Sequence, residues 1–160
     1  LGGRGAGKTR TGAEWVRAMA LGHAPFTDAA VGRIALVAET MHDARSVMVE
    51  GVSGLLAIHH PRERPTFASS RGRLEWPNGA IAQLISAEDP DSLRGPQFGA
   101  AWADEIAKWR YGDAAWDMLQ FGLRLMQVLR GLQGPQAGAG GQRRAGHAVV
   151  LAVECGLQVR

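Results

Sequence analysis

The chain has a single cysteine, Cys155, in 160 residues, so no intrachain disulfide framework braces it and a reducing compartment fits its thiol content. It also lacks any apolar run near the roughly 20 residues a membrane-crossing helix needs, which excludes a helical span and membrane partners. No charged stretch followed by an apolar one opens the chain, so a secretory leader does not explain its start at Leu1, and a fragment is the expectation. Lysine is nearly absent: Lys8 and Lys108 are the only two among 18 basic residues, a bias of GC-rich codons that carries no functional weight. Hydroxyl side chains stop early, with the last threonine at Thr66 and the last serine at Ser92.

Against 18 Lys+Arg stand 15 Asp+Glu, giving +3 and an isoelectric point near 9.7, a balance that invites a nucleic-acid reading. The distribution removes that argument. Residues 1–125 hold 14 basic and 14 acidic side chains, whereas 126–160 add Arg130, Arg143, Arg144 and Arg160 against Glu154 alone. The basic excess therefore belongs to a segment rich in Gly, Ala, Gln and Arg, a composition that rarely builds a packed core. Hydrophobic residues at 46% and charged residues at 21% are ordinary for a globular domain of this length.

Periodicity predicts alternating helices and strands. Ala13, Val16 and Ala20 recur at helical spacing over 9–21, with Gly22 as a stop. Residues 34–38 form a short unbroken apolar run, as in a strand buried on both faces. Helical spacing returns over 41–58, weakened by Gly51 and Gly54, and Pro61 and Pro65 bracket a loop. Residues 72–86 read as two strands joined at Asn78-Gly79, and 87–97 carry loop chemistry. A second buried strand spans 98–103 and ends on Asp104-Glu105. A helix follows over about 113–125, with Trp116, Leu119 and Leu123 on one stripe. The fold class is therefore α/β, a mainly parallel sheet with helices on both faces. Domain organisation reads as one unit over 1–125 and a low-complexity tail over 126–160, poorly ordered apart from a strand-like stretch at 148–153.

Gly2, Gly3, Arg4, Gly5, Ala6, Gly7, Lys8 and Thr9 satisfy every required position of the phosphate-loop pattern G-x-x-x-x-G-K-S/T. Glycines let successive backbone N–H groups turn toward phosphate oxygens, and the helix that follows presents its positive end to the same anion. Lys8 reaches the β- and γ-phosphates of ATP, and the Thr9 hydroxyl ligates Mg²⁺. The strand that ends at Asp104 supplies the complementary half: Asp104 holds Mg²⁺, and Glu105 polarises the attacking water. Alone, such an acidic end reads as a solvated turn, and the upstream phosphate loop tips the balance. Arg4, inside the loop, and Arg94, ten residues before Asp104, are candidates for stabilising the transferring phosphoryl group. For Arg94 a plain surface role is the competing reading. Arg62, Arg64, Arg71 and Arg73 are diluted by Glu63 and Glu75 and suggest a solvated face. His59, His60 and Cys155 lack metal-ligand spacing, so zinc is not expected. The five tryptophans read as core or core edge.

The segments GGRGAGKTRTGAEWVR, VAET, SLRGPQFGAAWADEIAKW and WDMLQFGLRL together resemble the ATPase domain of large terminase subunits, over residues 1–125. These are the DNA-packaging motors of tailed phages and of phage-like gene transfer agents. The resemblance implies a RecA-like phosphate-loop NTPase core, here truncated before its first strand, that hydrolyses ATP to drive double-stranded DNA into a procapsid. It makes Gly2 to Thr9 Walker A, Ala100 to Glu105 Walker B, Glu105 the catalytic carboxylate, and Arg94 a neighbour of the proposed trans-acting finger. It further implies a homo-oligomeric ring on a portal protein, a small terminase subunit as DNA recogniser, and action in the cytoplasm of a host bacterium. The family's adenine-contacting segment, hydroxyl-rich coupling motif and C-terminal nuclease domain have no counterpart in this sequence, and the tail after Leu125 reads as out-of-frame translation. Two rival readings accompany this one: a non-enzymatic remnant that at most binds nucleotide, and a helicase-like phosphate-loop NTPase.

Overall fold

The computed structural model describes residues 7–132 and 149–153. Helix α1 (Lys8–Leu21) begins directly after Gly7, which sits in the left-handed region at φ 72°. A side chain there would meet open space, so the need for glycine is a backbone one. The helix stops as its sequence predicts: Gly22 is left-handed at φ 78°, and its N–H closes on the Ala18 carbonyl.

Six strands form one sheet in the order β2-β3-β4-β1-β5-β6. They are β1 (Arg33–Ala38), β2 (Thr66–Ala68), β3 (Arg73–Glu75), β4 (Ile81–Ser86), β5 (Ala100–Asp104) and β6 (Val149–Val153). β1 runs parallel to both β4 and β5, and β5 parallel to β6, while β2, β3 and β4 pair antiparallel. β1 and β5 lie inside the sheet with both faces covered, which is why they read as continuous apolar runs. The β3–β4 connection turns at Asn78-Gly79, with Gly79 at φ 86°. Asn78 serves twice there: its carbonyl oxygen accepts from the Ala80 N–H at 3.1 Å, and its amide donates to the Ala20 carbonyl at 2.8 Å, joining hairpin to α1.

Each face has its own core. On one, Ala13, Val16, Met19 and Ala20 of α1 pack with Ile34, Leu36, Leu74, Ala82, Leu84 and Trp102. On the other, Ala115, Leu119 and Leu123 of helix α4 (Gly112–Leu132) cover Ala35, Val37, Ile85, Phe98, Ala101 and Ala103. Gly12 sets how closely α1 approaches β5, because a Cβ at that position would collide with the Trp102 indole. Four of the five tryptophans, Trp15, Trp76, Trp102 and Trp109, are buried.

Three expectations need correction. The helix predicted over 41–58 is broken into α2 (Met41–Asp43), a π-helix (Ala44–Val49) and α3 (Leu55–Ile58). The glycines explain the break: a Cβ on Gly51 would stand 2.6 Å from the Val47 carbonyl oxygen, and one on Gly54 2.8 Å from that of Val49. Strand β2 falls between the loop at Pro61 and Pro65 and the strands expected from 72, where no element was expected; it is three residues long and carried by its partner β3. The last helix continues beyond 125 to Leu132. The strand-like stretch near 148–153 is β6, in parallel register with β5 so that Val153 pairs with Asp104. Among the described residues, no helix is long and apolar enough to cross a membrane.

Candidate nucleotide site

Parallel strands β1 and β5 end side by side at one edge of the sheet, the edge where open α/β sheets place ligands. β5 delivers Asp104 there, and α1 starts beside it with Lys8 and Thr9. A cavity of about 190 Å³ is lined by Lys8, Thr9, Glu39, Asp43, Asp104, Glu105 and Lys108, with Ala38 and Val47 as its apolar walls. Four of the residues picked from sequence, Lys8, Thr9, Asp104 and Glu105, thus share one cavity although they come from distant parts of the chain. A neighbouring cavity of about 400 Å³ is lined by Gly7, Lys8, Thr9 and Arg10 with Ser46, Val47 and the 51–53 turn.

Glu105 is the single non-glycine residue among the described ones with positive φ, at φ 49° and ψ 47°. Such a conformation is uncommon outside glycine and concentrates at functional sites. It turns the chain sharply off β5 into the 3₁₀ turn Ile106–Lys108. That turn is pinned from below: the indole N–H of Trp109 donates to the Asp104 carbonyl at 3.0 Å, and the Lys108 N–H donates to the Glu105 carbonyl at 2.9 Å. The Lys108 ammonium meets the Glu105 carboxylate in an ion pair.

Asp104 has its pKa pushed up to about 6, first by burial, then by the adjacent Glu105 charge and by Asp43, with Lys108 and Lys8 pulling the other way. Asp104 is half-buried, with acids and lysines both close to it. The oxygen donors on offer, the Thr9 hydroxyl and the Asp104 carboxylate, suit a hard divalent ion such as Mg²⁺.

Three cavity residues were not singled out from sequence: Glu39, Asp43 and Lys108. A signal for Asp43 existed. Thr40 is the N-cap of α2, accepting from the Asp43 N–H at 3.0 Å while its hydroxyl donates to the Asp43 carboxylate at 2.8 Å. Glu39 and Lys108 carry no such mark.

Other predicted residues are placed elsewhere or lie outside the described residues. Gly2, Gly3, Arg4, Gly5 and Ala6 are among the latter. Arg94 does not line the cavity; it ends a 3₁₀ turn (Pro90–Leu93), exposed, and pairs with Asp91 at 3.0 Å. The arginines near the hairpin are consumed locally, Arg73 and Arg71 by Glu75, while Glu63 binds Arg17 of α1 at 2.6 Å. His59 is a core residue: its ring contacts the Leu55 carbonyl through Nδ1 at 2.6 Å and accepts the Trp76 indole N–H on Nε2 at 3.0 Å. No group of three or more His, Cys, Asp or Glu that could hold a metal occurs among the described residues. A cavity of about 430 Å³, flanked by Arg33, Arg73 and Gln83, contains none of the residues picked from sequence.

A mainly parallel α/β sheet with this edge belongs to the RecA-like ATPase fold, the fold shared with the ATPase domain of the large terminase of Thermus phage P74-26. That solved domain aligns with a TM-score of 0.53 at 20% identity, over 98% of this chain and 59% of its own. An arginine-to-alanine variant of it aligns at 0.50 with 18% identity and the same coverage. The chain thus spans about three fifths of these domains. The family described as "Terminase large subunit, T4likevirus-type, N-terminal" matches residues 1–129, and the chain belongs to that family. No curated protein sequence matches it.

Proposed function

We propose that this chain is the ATP-binding and ATP-hydrolysing part of a large terminase, a motor that packages double-stranded DNA into a phage-like procapsid in the cytoplasm of a host bacterium. The observation that carries the reading is the meeting of Lys8, Thr9, Asp104 and Glu105 around one cavity. Gly2, Gly3, Arg4, Gly5, Ala6 and Gly7 complete the loop around the phosphates, and Lys8 neutralises the β- and γ-oxygens. Thr9 and Asp104 would hold Mg²⁺, which would supply positive charge to the phosphate tail. Glu105 accepts the proton of a water whose oxygen attacks the γ-phosphorus, while the bond to the bridging oxygen breaks and ADP leaves. Arg4, in the loop, and Arg94, exposed and offered to an adjoining subunit, act on charge developing at the transferred group.

Family membership supports the wider assembly: a homo-oligomeric ring on a portal protein, with a small subunit that recognises the DNA. An origin in a phage, a prophage or a phage-like gene transfer agent is part of this proposal. The decisive experiment is ATP hydrolysis by the 160-residue chain, by Lys8→Ala and by Glu105→Gln. The expected result is a loss of about 10²-fold or more in each variant. Equal rates in all three would refute the enzymatic reading and leave a protein that at most binds nucleotide.

A further inference from the structure

The two lysines of this chain converge on the same small cavity, and only one of them belongs to the phosphate-loop pattern. Lys8 opens α1, whereas Lys108 ends the 3₁₀ turn after β5. Its backbone is fixed by the 3₁₀ turn and by the Trp109 anchor on Asp104, so the position of its Cα is set by β5. Its head meets Glu105 and lies close enough to Asp104 to act on that carboxylate. The ammonium is paired with Glu105 across a contact in which the two side chains are 57% and 34% exposed. An ion pair so open to water is weak, and a four-carbon stem lets a lysine head change partners at little cost. A cavity of about 190 Å³ holds roughly six waters' worth of space, enough for a phosphate group within reach of that head.

Resting on the nucleotide-site reading above, we propose that Lys108 is a shared cation, paired either with the Glu105 carboxylate or with the terminal phosphate of a bound nucleoside triphosphate. When the ammonium moves to phosphate, the Glu105 carboxylate gives up that contact. Lys108 is then a positioning residue for Glu105 and a reader of the γ-phosphate, which a diphosphate does not present.

The test is equilibrium binding of Mg²⁺ with the non-hydrolysable triphosphate AMP-PNP, and of Mg²⁺ with ADP, to the full chain by calorimetry. Lys108→Ala should weaken AMP-PNP about tenfold and ADP less than about twofold, the loss expected for one charge-assisted contact to the γ-phosphate. Lys108→Arg should recover most of that loss. Glu105→Gln removes the competitor and should tighten AMP-PNP about two- to fivefold, a gain that vanishes in the Lys108→Ala background. Equal weakening of both nucleotides by Lys108→Ala, no weakening at all, or a Glu105→Gln gain that persists without Lys108 would overturn the inference. These outcomes are separable from failure of the underlying reading. If the chain binds neither nucleotide, or Lys8→Ala leaves binding untouched, the nucleotide site itself falls and this inference with it.

Discussion

His59 is buried and Asp104 half-buried, and the contrast between them separates a scaffold residue from a candidate site residue. His59, under the β3–β4 hairpin, has both ring nitrogens engaged, one toward the Leu55 carbonyl and one by the Trp76 N–H. Burial, its largest influence, keeps it neutral with a lowered pKa, and neutrality is the form both contacts require. Asp104, at the end of β5, has its carboxylate beside Glu105 and Asp43, and its pKa is raised to about 6. His59 is answered by hydrogen bonds inside the core, whereas Asp104 borders a cavity with charges of both signs, Glu105 and Asp43 against Lys8 and Lys108. Engagement inside the core fits a structural role, and a raised carboxylate beside a cavity is a candidate for a binding one.

Substitutions can break this contrast. The largest effect is expected from His59→Leu, which strands the buried Trp76 N–H and should cost about 2–3 kcal/mol in a urea melt at pH 7. Its pH dependence has a defined sign. Below about 6.5 the unfolded chain takes a proton that folded His59 refuses, so the native protein loses stability as pH falls through that window, and the variant should lose less. A variant as stable as the parent would show that the two hydrogen bonds do not hold the hairpin.

Asp104→Asn should act in the opposite direction and stabilise, by on the order of 2 kcal/mol at pH 7 in the absence of divalent cations. Between the ordinary carboxylate range and about pH 6, folded Asp104 keeps a proton that the unfolded chain has given up, so native stability falls as pH rises. The gain from the substitution should therefore be absent near pH 4, full above pH 6, and reduced by added Mg²⁺. A destabilised Asp104→Asn at pH 7 would place Asp104 with the scaffold. The smallest effect is expected from Trp109→Phe, which keeps most of the packing but removes the indole donor to the Asp104 carbonyl, for about 1 kcal/mol by thermal melting.

Much of this architecture can be read from local pattern. The runs in β1 and β5 are unbroken because both of their faces are covered, Gly22 ends α1 because it takes a left-handed cap, and Asn78-Gly79 makes the hairpin turn. These are properties of a few adjacent residues. Other elements are decided at a distance. β2 is too short to announce itself and exists through β3, and the helix expected over 41–58 breaks where Gly51 and Gly54 come against neighbouring carbonyls. Gly12 looks like a blemish in α1 until Trp102, ninety residues on, is seen filling the space a side chain would need.

The candidate site divides in the same manner. Sequence alone determined the candidates: a phosphate-loop pattern ending in Lys8 and Thr9, an apolar strand delivering Asp104, and Glu105 after it. Their types and order carry that information because loop glycines and strand ends are local features. Only the tertiary structure decided that Glu105 stands in a left-handed turn, that Glu39, Asp43 and Lys108 face the same cavity, and that Arg94 does not. Those facts depend on which strand ends lie side by side, and hydrophobic pattern fixes the strands without fixing their neighbours.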